Sequence, residues 1–259
     1  AFIMPDETTN PRYVVMKTTS ASLDFASTMA TASRTVREYG MDELADEIAG
    51  AAKSAWYWAI ENPTIFYDQP EDVSTGAYVD TSFVDEWFWA SAEMYLLTGE
   101  SQYKEKMMEN YEDPITPKWD VVNALGLISI LTSEKRFEFS EIEQDFIAYV
   151  DLMLEKEKAS PYLISMDKFA WGSNSDVGND GMLKLVAFQL TGNDKYVASA
   201  QNDLDYILGR NATGYSFVTG FGDKTPLDQH NRIMGADGID EPIPGYISGG
   251  PNTIVLTDC

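Results

Sequence analysis

The chain has almost no sulfur chemistry, little positive charge and no long apolar run. Its one cysteine is Cys259, among 259 residues. No disulfide can form within the chain, so cysteine usage does not set a redox compartment. Lys and Arg number 18 against 42 Asp and Glu, a net charge of −24. Such a surface repels phosphate backbones, anionic membranes and polyanionic substrates, so neither nucleic acid nor membrane is expected as a partner. A neutral polymer would not be repelled, and acidic surfaces also serve solubility. No stretch approaches the roughly 18 apolar residues of a membrane-spanning helix. The opening Ala1-Phe2-Ile3-Met4-Pro5-Asp6 has neither a basic segment nor a signal-peptide pattern, so any export signal is expected to have been removed or never present. Histidine too is scarce: His230 is the only one.

What is present is globular. Hydrophobic residues make up 44% and charged residues 23%, enough for one large domain or two small ones. Aromatics reach 12%, with six Trp and fourteen Tyr, which suits sugar stacking but also ordinary core packing.

Periodicity predicts helices joined by short loops. The first runs from about Thr19 to Tyr39, with Leu23, Phe25, Ala26, Met29 and Ala30 on its apolar stripe and Gly40 as its stop. The next spans about Asp42 to Asn62, ended by Pro63, and another about Val84 to Thr98, ended by Gly99. A helix carrying Val121, Val122, Leu125, Leu127 and Ile128 follows Pro117. Ser140-Glu141-Ile142-Glu143 reads as a capping box opening an amphipathic segment. The last helices cover about Asp180 to Leu190 and Asp194 to Leu208. Trp56-Tyr57-Trp58 is expected as a helix end locked into the core.

Leu97-Thr98-Gly99 with Tyr103 and Leu190-Thr191-Gly192 with Tyr196 form an internal repeat, Gly and Tyr four apart in each. α-Hairpins repeated around a ring would give such a pattern, as in an (α/α) toroid. After Gly209 the texture changes. Residues 209–252 are rich in Gly, Pro and Asn and have no helical period. Long irregular segments of compact domains are often functional.

That last segment carries a specific likeness. Tyr206-Ile207-Leu208-Gly209-Arg210-Asn211 leads to Ser216-Phe217-Val218-Thr219-Gly220-Phe221-Gly222. Lys224, Pro226, His230-Asn231-Arg232, Pro244-Gly245 and Gly249-Gly250-Pro251-Asn252 follow. In order and spacing the series resembles the signature region of glycoside hydrolase family 9. Two positions depart from it: Gln229, where the family usually has Pro or an aliphatic residue, and Asn231, where a second His is common. Upstream, Pro11-Arg12-Tyr13, Ser22-Leu23-Asp24-Phe25-Ala26, Ser74-Thr75-Gly76-Ala77-Tyr78, Asp85-Glu86, Trp89-Ala90-Ser91-Ala92-Glu93, Trp119 and Trp171-Gly172-Ser173-Asn174 look like further family positions.

The resemblance implies an all-α fold, an (α/α)6 barrel incomplete in this chain. Residues 1–208 would be barrel and 209–259 substrate-site loops, all within one catalytic domain. It implies hydrolysis of β-1,4-glucosidic bonds, endo-acting and inverting, by a secreted enzyme with no organic cofactor. His230 and Arg232 would position the sugar, and imidazole and guanidinium suit that work as directional donors with planar faces. Tyr78, Trp89, Trp119 and Trp171 are stacking candidates; packing in the core is the competing role for Trp89 and Trp119. Thr81, Ser82, Asp85, Glu86 and Asp120 resemble a structural calcium site, against which stands acidic capping of a helix N-terminus. Asn211-Ala212-Thr213 is a glycosylation sequon that overlaps the family motif, and is taken as coincidence.

An inverting glycosidase needs one carboxylate as base and one carboxylic acid. The family's Asp-Ala-Gly-Asp and Asn-Glu motifs, which supply them, do not occur in the 259 residues. The partners implied are a β-glucan and further segments of the same domain. Two other readings stay open: a glucan-binding protein without catalysis, and a helical-repeat interaction module. The second leaves residues 209–252 unexplained.

Overall fold

A computed structural model describes residues 3–9, 11–73 and 79–253. The stacking candidate Tyr78, the whole Ser74–Tyr78 motif and Cys259 lie outside the described residues. Among those described, all regular structure is helical, apart from two isolated antiparallel bridges. The helices are α1 Thr19–Glu38, α2 Asp42–Glu61, α3 Val84–Thr98, α4 Ser101–Glu109, α5 Asn123–Leu131, α6 Ser140–Glu157, α7 Ser173–Thr191 and α8 Lys195–Ile207. The chain divides into two compact units, residues 14–147 and residues 1–13 with 148–259.

In the first unit α1 packs against α2 and α3, and α3 against α4 and α5. The buried face of α1 is built from small residues: Ser22, Ala26, Ser27, Ala30 and Ser33, with Leu23. It meets an equally slender face on α2, Ala45, Ala52 and Ala59. Small side chains let backbones approach closely, and Ser33 donates to the Ala45 carbonyl at 2.8 Å across the contact. Phe25, expected on the apolar stripe, lies off this face and is 47% exposed. Trp56 fills the space beside the hairpin, edge-on to Trp87 at 5.3 Å and Tyr103 at 5.1 Å. Only Trp56 of the Trp56-Tyr57-Trp58 run is in the core: Tyr57 is exposed, and Lys17 lies 4.0 Å over Trp58. Gly126 brings α5 against α3, since a Cβ there would sit 3.0 Å from the Phe88 ring and the Trp89 backbone.

The internal repeat is a real structural device. Gly99 and Gly192 both hold left-handed backbone, φ 74° and 68°, and close α3 and α7. Thr98 and Thr191 each bond back to a carbonyl four residues earlier and receive the N–H two residues ahead. Tyr103 and Tyr196 then bury almost completely at the start of α4 and α8. Threonine and glycine stop one helix, and tyrosine anchors the next.

Three expectations need correcting. α5 begins at Asn123, because Lys118 and Val121 pair across a tight turn before it. α7 begins at Ser173, seven residues before Asp180; its polar first turns carry no apolar period, and the start is set by Gly172 at φ 86°. The capping box at Ser140 is not what engages Glu143. That carboxylate is held by Arg136, with Nε at 3.2 Å.

In the second unit α7 packs against α8. Lys184 of α7 is fully buried and pairs with Asp203 at 2.7 Å and Glu157 at 3.3 Å. Ser199 and Asn202 also bond Glu157. Tyr206, Ile207 and Phe217 pack with Ile164 and Val177 beneath the irregular segment that follows α8.

Candidate functional site

The segment after α8 is a fixed scaffold. Asn211 ends the helix by donating to the carbonyls of Tyr206 and Tyr215, both at 2.8 Å. Its side-chain oxygen accepts from the N–H of Thr213 and Gly214. This side chain is used structurally, which fits the reading of the sequon as coincidence. Residues 217–219 and 245–248 then pair side by side, Thr219 N–H to the Tyr246 carbonyl at 2.9 Å and Ser248 N–H to that of Phe217 at 2.8 Å. Thr219, fully buried, donates its hydroxyl to the Ile243 carbonyl at 2.6 Å.

The far end of the segment is clamped by the start of α7. Ser173 and Asn174 are fully buried polar side chains. Ser173 donates to the Pro251 carbonyl at 2.6 Å and Asn174 to that of Ser248 at 2.9 Å. Gly250, at φ 94°, allows this approach: a Cβ there would lie 2.6 Å from both side chains. Within the Trp171-Gly172-Ser173-Asn174 motif the structural work is done by Ser173 and Asn174. Trp171 stands beside them in sequence and is 70% exposed, as a stacking platform must be.

Within this frame the stretch that carries His230 and Arg232 is a compact turn. Asn231 accepts the N–H of Ile233 at 3.0 Å and of Met234 at 3.1 Å through its side-chain oxygen. Gly235 N–H returns to the Asn231 carbonyl at 2.9 Å. The departure from the family at Asn231 therefore supplies a turn-former, which asparagine does well. The other departure, Gln229, donates to the Tyr246 carbonyl at 3.4 Å. Arg232 is exposed at the turn, and so is His230, which lines a cavity of about 660 Å³.

The remaining candidates belong to the other unit. Trp89 donates its indole N–H to Glu93 at 3.3 Å, and Glu93 is buried and ion-paired to Arg34 at 2.5 Å. Trp119 is not core: it is 69% exposed at the tip of the Lys118–Val121 turn. There it lines a small cavity, about 160 Å³, with Ser20, Asp24, Asp80, Glu86 and Asp120.

This acidic cavity includes two of the expected calcium ligands and differs from the expectation at the others. Asp85 does not cap α3; its carboxylate accepts the Val122 N–H at 2.8 Å. The backbone N–H groups of Thr81 and Ser82 face the Asp80 carboxylate. Asp24 and Asp80 take their places, and sequence reading missed both. The usable signal was Ser20 and Asp24, four apart on one helix face. Burial, with Asp85 and Asp80 nearby, pushes the Asp24 carboxyl up to about 6. Burial, with Asp80 and Asp85 beside it, pushes Glu86 up to about 10. Asp24 Oδ1 and Glu86 Oε2 are buried without a hydrogen-bond partner. An all-oxygen donor set with crowded charge and orphaned oxygens suits a hard divalent cation. Among the described residues, however, no three acidic, His or Cys side chains gather closely enough to hold a metal, so the carboxylates would have to draw together around one.

Comparison with known proteins decides the family. The profile of Glycosyl hydrolase family 9 matches residues 1–259. The chain belongs to glycosyl hydrolase family 9. It is 35% identical to a xyloglucan-specific endo-β-1,4-glucanase from Bacteroides ovatus, over 97% of this chain and 46% of that protein. It is 31% identical to Endoglucanase D of Acetivibrio thermocellus, over 96% of this chain and 41% of that protein. Among solved structures, a Bacteroides ovatus family 9 protein superposes with TM-score 0.90 at 34% identity, covering 97% of this chain and 50% of that one. A metagenome-derived family 9 endoglucanase gives TM-score 0.91 at 27% identity, with 99% and 48% coverage. The chain thus spans about half the length of these relatives. Its helices are part of a family 9 (α/α)6 barrel, as the sequence resemblance implied.

Proposed function

We propose that the protein containing this chain hydrolyses β-1,4-glucosidic bonds in cellulose or related β-glucans, within the polymer and with inversion. The match of residues 1–259 to the family carries this reading, and the endoglucanase names of its relatives support it. His230 and Arg232 hold the sugar at the cleavage point, and exposed Trp171 offers a ring face to it. The general base and general acid come from segments of the same domain outside these residues. The enzyme acts outside the cell; among the described residues no helix is long and apolar enough to cross a membrane. The test is release of reducing ends from carboxymethylcellulose by the complete domain, with the product anomer followed by proton NMR. The α-anomer appears first if inversion holds, and a first-formed β-anomer excludes it.

A second reading, glucan binding without catalysis, is favoured by one observation: the two carboxylate motifs do not occur in these residues. It predicts cellohexaose affinity with no turnover even in the complete protein.

The acidic cavity around Asp24, Asp80, Glu86 and Asp120 is the seat we assign to a structural calcium ion, with Thr81, Ser82 and Asp85 framing it. Calcium would neutralise carboxyls that otherwise repel one another. The sign of the pH effect follows from the raised values of Asp24 and Glu86. The folded state keeps protons that the unfolded chain loses near pH 4, so without metal stability falls as pH rises from about 4 through 6 and beyond. Calcium displaces those protons, so its stabilisation grows over the same range. Melting temperatures with calcium and with chelator should coincide near pH 4 and separate by pH 8. Coincidence at both pH values removes the ion.

A further inference from the structure

We propose that Ser173 is a positioning residue for the substrate. It touches no sugar; with Thr253 it holds the Trp171 ring in register with residues 248–253. The proposal rests on the glucan reading above, in which Trp171 is a stacking platform. That ring is 70% exposed. A side chain so far out in water is not fixed by packing of its own. An indole free to change rotamer must be ordered afresh by each substrate that binds, at a cost in affinity. What holds it in place has to be the backbone on either side.

Both shoulders of Trp171 are tied to the same short stretch. Two residues before it, the Phe169 carbonyl accepts the Thr253 N–H at 2.9 Å and the Thr253 hydroxyl at 3.1 Å. Two residues after it, Ser173 donates to the Pro251 carbonyl at 2.6 Å. Asn174 adds its side-chain bond to Ser248 and a backbone bond to the Gly249 carbonyl at 3.1 Å. Between the shoulders Gly172 turns the chain, and its carbonyl accepts both the N–H and the hydroxyl of Ser175, at 2.8 and 2.7 Å. The shoulders are themselves seated. Phe169 packs on the cluster of Ile164, Val177, Tyr206, Ile207 and Phe217, and Ser173 is fully buried. A hydroxyl so buried is out of reach of a sugar, so its effect on substrate passes through the backbone that carries Trp171. Ser248 in turn donates to the Phe217 carbonyl at 2.8 Å, which joins the clamp to the paired strands of the signature segment. Ring and segment are thereby held as one piece.

The experiment is a double-mutant cycle in the complete domain, read by steady-state kinetics on cellohexaose. The variants are Ser173→Ala, Trp171→Ala and the two combined. Ser173→Ala removes one oxygen and should raise KM about fivefold with kcat little changed, the scale at which ordering one side chain weighs on binding. In the Trp171→Ala background the same change should leave KM as it is, because residues that act through one another are not additive. If Ser173→Ala does not fold, Thr253→Ala reads the same cycle from the exposed shoulder, with a smaller rise. If cellohexaose is bound but not turned over, the cycle is read in Kd. A KM that stays at the parent value in Ser173→Ala, with only the melting temperature lowered, overturns the proposal and leaves the glucan reading intact. So does a rise of equal size with and without Trp171. A parent domain that neither hydrolyses nor binds cellohexaose removes the glucan reading and the proposal with it.

Discussion

Lys184→Met should cost about 3–5 kcal/mol of stability, the usual loss when one partner of a buried ion pair is removed. Methionine matches the lysine stem, so the loss is electrostatic and not a cavity effect. Lys184 is fully buried, and Asp203 and Glu157 both turn to it. Even with the lysine in place the site is short of positive charge. Burial outweighs the ion pair and pushes the Asp203 carboxyl up to about 7, with Asp180 and Glu157 adding to the rise. Asp203 Oδ1 is left with no partner at all. Because its folded value is raised, Asp203 costs the fold stability progressively between about pH 4 and pH 7. Without Lys184 that cost grows, so the variant's deficit should be smallest near pH 4 and largest above pH 7. Urea denaturation of both chains at pH 4.5 and pH 8 checks this. A deficit independent of pH would mean that the lysine does not act by offsetting the charge of Asp203.

His230→Ala in the complete domain should lower turnover on cello-oligosaccharides by a factor of roughly 10²–10⁴, the scale lost when a reacting group is misplaced. A neutral sugar offers no charge to grip, so its position depends on directed donors and ring faces. On the proposed reading His230 supplies both, from the lining of the cavity and next to the Asn231 turn. Folding should change little, because its side chain is exposed in a loop and is not among the core residues. Arg232→Lys keeps the charge but loses the planar fork, so a smaller loss is expected there. Steady-state kinetics on cellohexaose should show the fall mainly in kcat. A fall confined to KM would mean that His230 grips ground state and transition state alike.

Much of this was legible in the sequence, for physical reasons. Helix ends were readable wherever glycine or proline made them, as at Gly40, Pro63, Gly99 and Gly192. The start of α7 was not, because Ser173 to Asn179 are polar residues whose faces serve neighbouring backbone and not an apolar core. Trp119 was ambiguous for the opposite reason. Its large apolar ring suggests burial, but a four-residue turn lifts it into solvent. The acidic cavity was half legible: Glu86 and Asp120 are found there, while Asp24 arrives from α1 and Asp80 from the loop before α3. Only tertiary packing brings those four carboxylates to one place. The loop after Gly209 was visible as a family signature, yet its anchoring was not. That anchoring comes from Ser173, Asn174 and Thr219, buried polar side chains reaching backbone carbonyls far away in sequence.

The most direct test of the central claim, that residues 209–252 hold the glucan at the cleavage point, is hydrolysis of carboxymethylcellulose by the complete domain and its His230→Ala variant, each with its melting temperature. The account predicts a loss of activity of at least about 10² in the variant with the melting temperature unchanged. Unchanged activity would contradict it, and so would a parallel loss of activity and stability, which would make His230 a structural residue.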